Sequence, residues 1–284
     1  MAKRFLSPCQ TRRDFLKKTA VTSLIASSPS LALSQGRRVQ TIGLQLYSLR
    51  AEMAEDFEGT LEQLAQLGFK EMEFAGYHGK SPLEVRRILD SFGLVSPAAH
   101  IQLNAVRENL EREIETAATI GQQYIVIPSI PASERSLSDY ERHADTLNSA
   151  GEKTKEAGIQ MGYHNHSFEF ETHRTGKIGY DYLTYLTQKD LVVFEMDLFW
   201  IINAGHDPVS YFRQWPGRFP MLHVKDRNNG GEMVDVGRGV IDFAQIFTHA
   251  ETAGFEHYFI EHDFPTDGIN SIAFSYNSLN NIRY

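Results

Sequence analysis

The stretch Leu191-Val-Val-Phe-Glu-Met-Asp-Leu-Phe-Trp200 decides how the chain is read. It starts apolar and β-branched, the pattern of a strand buried on both faces. It then turns acidic. Glu195 and Asp197 are two residues apart, so their side chains leave the same side of an extended backbone. A carboxylate at the end of a buried strand is costly unless a cation holds it. Three more apolar segments end in the same way. Gln160-Met-Gly-Tyr-His-Asn-His166 closes on two imidazoles, Pro220-Met-Leu-His-Val-Lys-Asp226 on His223, Lys225 and Asp226, and His257-Tyr-Phe-Ile-Glu-His-Asp263 on Glu261, His262 and Asp263. Four strand ends offering His164, Asp197, His223 and Glu261 point to one divalent-metal site, with His166 competing with His164 for the ligand role.

Outward from these segments, strand and helix patterns alternate along the chain. Thr41–Tyr47 is the first apolar run. The spacing of Phe57, Leu61, Leu64 and Leu67 predicts a helix that stops at Gly68. Phe69–Phe74 is the second strand, and Ser81-Pro82 opens a helix that ends at Gly93. Leu94–Ile101 and Tyr124–Pro128 are the third and fourth strands, with helices expected over Val106–Ile120 and Leu137–Ala157. The four segments above supply strands five to eight. Eight such units in about 250 residues predict a single-domain (β/α)8 TIM barrel. An open doubly wound sheet fits less well, because no Gly-x-Gly-x-x-Gly turn follows the first strand. The glycine-rich loop Asp226–Gly239 reads as a mobile cover over the barrel mouth, not as a phosphate cradle.

Residues 1–34 read as an export signal. Thr11-Arg-Arg-Asp-Phe-Leu-Lys17 resembles a twin-arginine motif, followed by a modestly apolar run and the small-residue site Ala32-Leu-Ser34. The expected domains are therefore a signal peptide over 1–34 and a barrel over 35–284, in a periplasmic protein. The signal carries six basic residues and one acid, so removing its +5 from the whole-chain −8 leaves −13. Such a surface repels polyanions, which argues against nucleic acid as a partner. The only cysteine, Cys9, leaves with the signal, so neither disulfides nor thiolate-bound zinc is expected in the mature chain. No apolar run is long enough to span a membrane.

Several motifs together resemble the sugar phosphate isomerase/epimerase family of xylose isomerase-like barrels. They are Ile42-Gly-Leu-Gln-Leu-Tyr-Ser48, Glu71-Met-Glu-Phe-Ala-Gly76, Tyr163-His-Asn-His-Ser-Phe-Glu-Phe170, Met196-Asp-Leu-Phe-Trp200, Leu222-His-Val-Lys-Asp226, Val236-Gly-Arg-Gly-Val-Ile-Asp-Phe243 and Ile260-Glu-His262. The resemblance implies one divalent ion (Mn, Co, Zn or Mg) on His164, Asp197, His223 and Glu261, a small-molecule carbohydrate substrate, and a possible homo-oligomer. Two positions depart from the family pattern. Ketose epimerases place a proton-moving Glu where this chain has His164, and many relatives have another His where this chain has Trp200.

The chemistry expected is proton abstraction beside a sugar carbonyl, giving an enediolate that is reprotonated by an isomerase or epimerase. Glu261 is the expected base, Glu169 or His166 the partner acid, and Lys225 the group that stabilises negative charge. Glu73, His100 and Arg227 are expected to bind substrate, with Trp200 and Tyr47 as an apolar wall. Export favours a non-phosphorylated sugar. A lyase or dehydratase acting on a keto-sugar or 3-keto-glycoside is the alternative reaction. Endonuclease-like cleavage and a non-catalytic periplasmic sugar-binding barrel are the readings from other classes; metal analysis separates the latter, since a binding module needs no transition ion.

Overall fold

Eight short strands lie parallel and carry the fold: β1 Gly43–Gln45, β2 Glu71–Glu73, β3 Ala98–His100, β4 Tyr124–Ile127, β5 Gln160–His164, β6 Val192–Asp197, β7 Met221–Val224 and β8 His257–Ile260. The computed structural model describes residues 36–284, so the export signal expected over 1–34 lies outside the described residues. Each strand pairs with its sequence neighbours, and β8 returns to β1 through Gly43↔Phe259. Between β2 and β3 the parallel bridges Glu71↔Val95 and Phe74↔Ala99 close the ring. His100 N donates to Phe74 O at 2.7 Å across that seam. Closure leaves no long unpaired edge, the usual liability of a sheet. The expected (β/α)8 barrel is the observed fold.

The helix signals of the sequence act where they were expected. Asp56 caps the helix Phe57–Leu67 by accepting from Gly59 N, and Gly68 ends it in the left-handed region at φ 109°. Ser81 and Glu84 form a reciprocal capping box at the start of Pro82–Phe92. An N-cap of this kind contributes about 1 kcal/mol. Helix Leu103–Ile120 begins three residues before the expected Val106, and its backbone leaves the helical region at Asn109. The largest departure follows β6. The run to Trp200, expected as strand, turns into the helix Leu198–Asn203, because the Asp197 side chain caps it by accepting from Trp200 N at 2.9 Å.

Strand parity sorts the interior. Ala98, Tyr124, Val126, Val193, Met221 and Phe259 form an apolar cluster separate from the main core. On β3, β6, β7 and β8 these residues lie two positions before His100, Glu195, His223 and Glu261 respectively. Side chains alternate along a strand, so the same face that is apolar lower down becomes ionic at the C-terminal end. The outward face packs on the helices as one continuous hydrophobic core.

The loop Asp226–Gly239 is gathered by hydrogen bonds to one side chain. Asp226 Oδ1 accepts from Arg227 N at 2.8 Å and Ile241 N at 3.2 Å, and Oδ2 accepts from Gly237 N and Gly239 N, each at 3.0 Å. A Cβ at Gly239 would lie 2.1 Å from Asp226 Oδ1, so this clasp needs glycine there. Asp226–Arg227 also pairs antiparallel with Met233–Val234. One buried carboxylate thus satisfies three backbone donors of the loop and a fourth just beyond it.

Candidate metal centre

The ends of β5, β6, β7 and β8 bring His164, Asp197, His223 and Glu261 together, with one donor atom from each lying within 4.8 Å of all the others. All four side chains are buried. His164 Nδ1 lies 3.0 Å from Pro128 O, which can only accept, so the proton sits on Nδ1 and Nε2 presents a lone pair. That Nε2 faces Asp197 Oδ2 at 3.3 Å. Burial, with the nearby His223 and His100, pushes His164 below the usual imidazole value, which keeps it neutral. His223 is fixed in the same way from below. Its Nε2 meets Glu73 Oε2 at 2.7 Å, so Nδ1 is turned up toward Glu261 Oε2, 2.6 Å away.

The donor set fits a divalent ion of the Mn, Co or Zn type: two imidazoles and two carboxylates without thiolate. His223 Nδ1 and Glu261 Oε2 are both buried, close, and without a partner in hydrogen-bonding geometry. The Lys225 ammonium already lies 2.9 Å from Asp197 Oδ2 and 2.7 Å from Glu261 Oε2, and an ion among the four donors would take the lone pairs that remain. The surrounding charges favour one. Burial alone would raise Asp197, but the Lys225 ammonium outweighs it and the carboxyl is held well below its usual range. Glu261 is likewise held below the carboxylate range by Lys225 against its burial. Both acids are ionised, as ligands must be.

Beneath this group lies a second buried layer. Glu195 Oε2 reaches His100 Nε2 at 2.7 Å and His223 Nε2 at 3.1 Å, and Glu73 Oε1 is 3.4 Å from His100 Nε2. Burial and the adjacent Glu195 push Glu73 above its usual value. The layer orients His223 from behind, the role that carboxylates play for metal-bound imidazoles. Asn165 squares the end of β6: its Oδ1 accepts from Asp197 N at 3.0 Å and its Nδ2 donates to Asp197 O at 3.3 Å.

A cavity of about 320 Å³ is lined by two of the four donors, His164 and Glu261. His164, His166, Lys225, Glu261 and Asp263 line its floor, and Tyr47 and Phe264 stand in its wall. Lys225 is buried and sits 2.9 Å from Asp197 Oδ2, 2.7 Å from Glu261 Oε2 and 2.9 Å from Asp263 Oδ1. Burial disfavours its charge, but these acids more than compensate and keep the ammonium well above its ordinary value. His166 is pushed down to about 3, first by burial and then by His164 and Lys225.

The sequence-expected site residues divide in three. His164, His166, Lys225, Glu261, His100 and Tyr47 reach the cavity. Glu73 lies under His223 and is fully buried, so it meets no hydroxyl; nor does it pair with Lys225 or Arg227. Glu169, Trp200 and Arg227 are not on the cavity wall. Glu169 accepts from Tyr163 Oη at 2.7 Å and His166 N at 2.8 Å, which turns its carboxyl into the protein. Trp200 packs behind His166 with ring centres 5.6 Å apart. Arg227 lines a different cavity with Ile202, His206 and Asp242. Two residues outside the expected ligand and catalytic set, Glu195 and Asp263, belong to the site. The signal was present, since each shares strand parity with a ligand two residues away.

A family model described as "Xylose isomerase-like TIM barrel" matches residues 39–276. An inosose dehydratase of Lacticaseibacillus casei is 23% identical over 244 residues, covering 72% of this chain and 80% of its own length. Among solved structures, a sugar phosphate isomerase/epimerase from Parabacteroides distasonis superposes with a TM-score of 0.75 and 26% identity, over 91% of this chain and 99% of that one. The IolI protein, solved with a zinc atom, shares the fold at a TM-score of 0.67 and 13% identity, over 86% of this chain and 99% of its own.

Proposed function

The chain belongs to the xylose isomerase-like TIM barrel family, and on that premise we propose that it is a divalent-metal-dependent enzyme that removes a proton beside the carbonyl of a non-phosphorylated sugar, as an isomerase or epimerase. The observation that carries this reading is the convergence of His164, Asp197, His223 and Glu261 beside one cavity. When bound there, the ion would supply Lewis acidity toward a carbonyl and a neighbouring hydroxyl oxygen. The zinc atom of the IolI barrel and the isomerase/epimerase and dehydratase relatives support the reading.

The chain's own residues divide the remaining work. Asp263 keeps one carboxylate oxygen on Lys225, and burial raises its hold on a proton; its other oxygen is the proton acceptor in this account. Glu261, held below the carboxylate range and engaged with His223 and Lys225, serves as ligand more than as base. Lys225 places a fixed positive charge where an oxyanion develops. His166, neutral, donates or accepts a hydrogen bond at a substrate hydroxyl. Among the described residues Lys225 is the only Lys or Arg on the cavity wall, and it is already matched by three acids, which argues against a phosphate cradle. Export to the periplasm is part of the same proposal.

A second reading, elimination by a dehydratase, is favoured by one feature. With Glu169 turned inward and His166 neutral, the carboxylates on the cavity wall, Glu261 and Asp263, both come from the end of β8. One-sided base chemistry suits loss of a β-hydroxyl as well as isomerisation. Incubation of Mn²⁺-loaded protein with aldoses, ketoses and keto-sugars in D₂O tests both. Deuterium at the carbon beside the carbonyl is expected, and the product separates isomerisation from water loss. Absence of exchange and of product across the set would contradict the proposal.

A further inference from the structure

A second cavity, of about 330 Å³, lies between the segments that follow β6 and β7 and shares no residue with the first. Among the described residues Arg227 is the one Lys or Arg on its wall. The guanidinium is held in place. Arg227 O accepts from Val240 N at 2.8 Å, and Arg227 pairs antiparallel with Met233. Gly231, at φ 87°, passes so close that a Cβ there would lie 3.1 Å from Arg227 Nη2 and 3.2 Å from Asn203 Oδ1. The fork therefore sits between the hairpin turn and the end of the helix Leu198–Asn203.

It is also unmatched. Among the described residues no carboxylate pairs with Arg227, and its Nε is buried without a hydrogen-bond partner. Acids are not scarce, since Asp207 and Asp242 line the same cavity. Each is engaged elsewhere: Asp207 Oδ1 accepts from Val209 N at 3.0 Å, and Asp242 Oδ1 from Gln245 N at 2.9 Å. A buried donor without an acceptor is costly, and an acceptor from outside the chain removes that cost.

The rest of the wall narrows what that acceptor is. Ile202, Pro208, Val240, Ile241 and Ile246 make it largely apolar, with Val240 55% exposed at its edge. Such a lining takes a short hydrocarbon body. A guanidinium fork matches the two oxygens of a carboxylate. A phosphate dianion would bring a second negative charge beside Asp207 and Asp242 with no second Lys or Arg to balance it.

We propose that this cavity binds a small organic carboxylate, its two oxygens on Arg227 and its alkyl or aryl body against Ile202, Ile241 and Ile246. The site is separate from the metal centre and stands whether or not the sugar chemistry holds.

The test is a titration of the full chain, loaded with Zn²⁺ and labelled at its isoleucine δ1 methyl groups, followed by NMR. The probes are benzoate and hexanoate, their neutral counterparts benzamide and hexanamide, and inorganic phosphate. The methyls of Ile202, Ile241 and Ile246 should shift saturably with at least one carboxylate. Its affinity should exceed that of its amide by roughly tenfold, as one charge-assisted pair implies. Arg227→Gln should bring that ratio toward one. Val240→Asp, which sets an acid at an exposed position on the edge, should weaken the carboxylate and spare the amide. A ratio near one in the unaltered protein, or one that survives Arg227→Gln, overturns the site. Binding that leaves the three methyls unmoved does so too, since it places the carboxylate at the zinc ion or Lys225. An equal response to phosphate overturns the ligand class. Shifts that follow protein concentration without any probe would assign the face to a contact between copies and overturn the proposal.

Discussion

His223 Nδ1 and Glu261 Oε2 lie 2.6 Å apart, contributed by neighbouring strands, and the Lys225 ammonium stands 2.7 Å from the same Glu261 oxygen. Glu73 accounts for the other nitrogen of the ring, at 2.7 Å, so the exposed lone pair of Nδ1 is imposed from below. The pair is shaped for a cation that takes a lone pair from each.

Removal of either acid from this group should abolish tight metal binding. Asp197→Ala and Glu261→Ala are each expected to lower the metal content of purified protein from about one ion per chain to near zero, and to stop turnover. The unaltered protein should gain about 2.7 kcal/mol of stability at an ion concentration a hundred times its dissociation constant. Neither variant should show that gain when Mn²⁺ is titrated during thermal unfolding. Full metal content in either one would contradict its assignment as ligand.

Glu73 acts through His223. Glu73→Gln keeps the size and one acceptor but weakens the hold on Nε2–H, and should cost about 10–100-fold in metal affinity. Since Glu73 is fully buried beneath the imidazole, the change should act on metal affinity and leave sugar affinity at saturating metal little altered. Loss of sugar affinity with metal affinity intact would instead return Glu73 to the substrate-binding role read from sequence.

Glu169 imposes a pH dependence on stability. Burial pushes its carboxyl up to about 7 from 4.5. Between those values the folded chain keeps a proton that the unfolded chain has lost, so stability falls as pH rises through this window. Glu169→Gln cannot ionise, and its amide can still accept from His166 N and donate to Tyr163 Oη. The variant should therefore gain on the unaltered protein between pH 5 and pH 7.5 by about 1–3 kcal/mol, since each tenfold change in proton affinity is worth roughly 1.4 kcal/mol. Urea unfolding at the two pH values measures the difference, and an identical gap at both would contradict the buried, raised carboxyl.

The twin arginines are expected to direct export. Arg12→Lys together with Arg13→Lys should retain the chain in the cytoplasm, as read by fractionation and by the mass of the N-terminal peptide. Unchanged delivery to the periplasm would contradict the signal.

Much of the site was legible because strand parity is local. Two residues of separation place Glu195 with Asp197, His223 with Lys225 and Glu261 with Asp263, whatever the rest of the fold does. Depth was not legible. That Glu195 and Glu73 sit below His223, and Asp263 above it, depends on the stagger of strands far apart in sequence, such as Asp197↔His223. Direction after a strand end was not legible either. Glu169 and Arg227 lie beyond the last parity-bound residue, where local hydrogen bonds set their course: Glu169 is turned in by Tyr163 and His166, and the loop after Arg227 is gathered by Asp226. The helix Leu198–Asn203 was hidden by its own apolarity. Buried on most sides, it reads like more strand, and only the cap from Asp197 distinguishes it.

The most direct test of the account is diffraction at the manganese absorption edge from crystals grown with Mn²⁺. One anomalous peak is predicted per chain, bounded by His164 Nε2, Asp197 Oδ2, His223 Nδ1 and Glu261 Oε2. No peak, or a peak held by other residues, would contradict it.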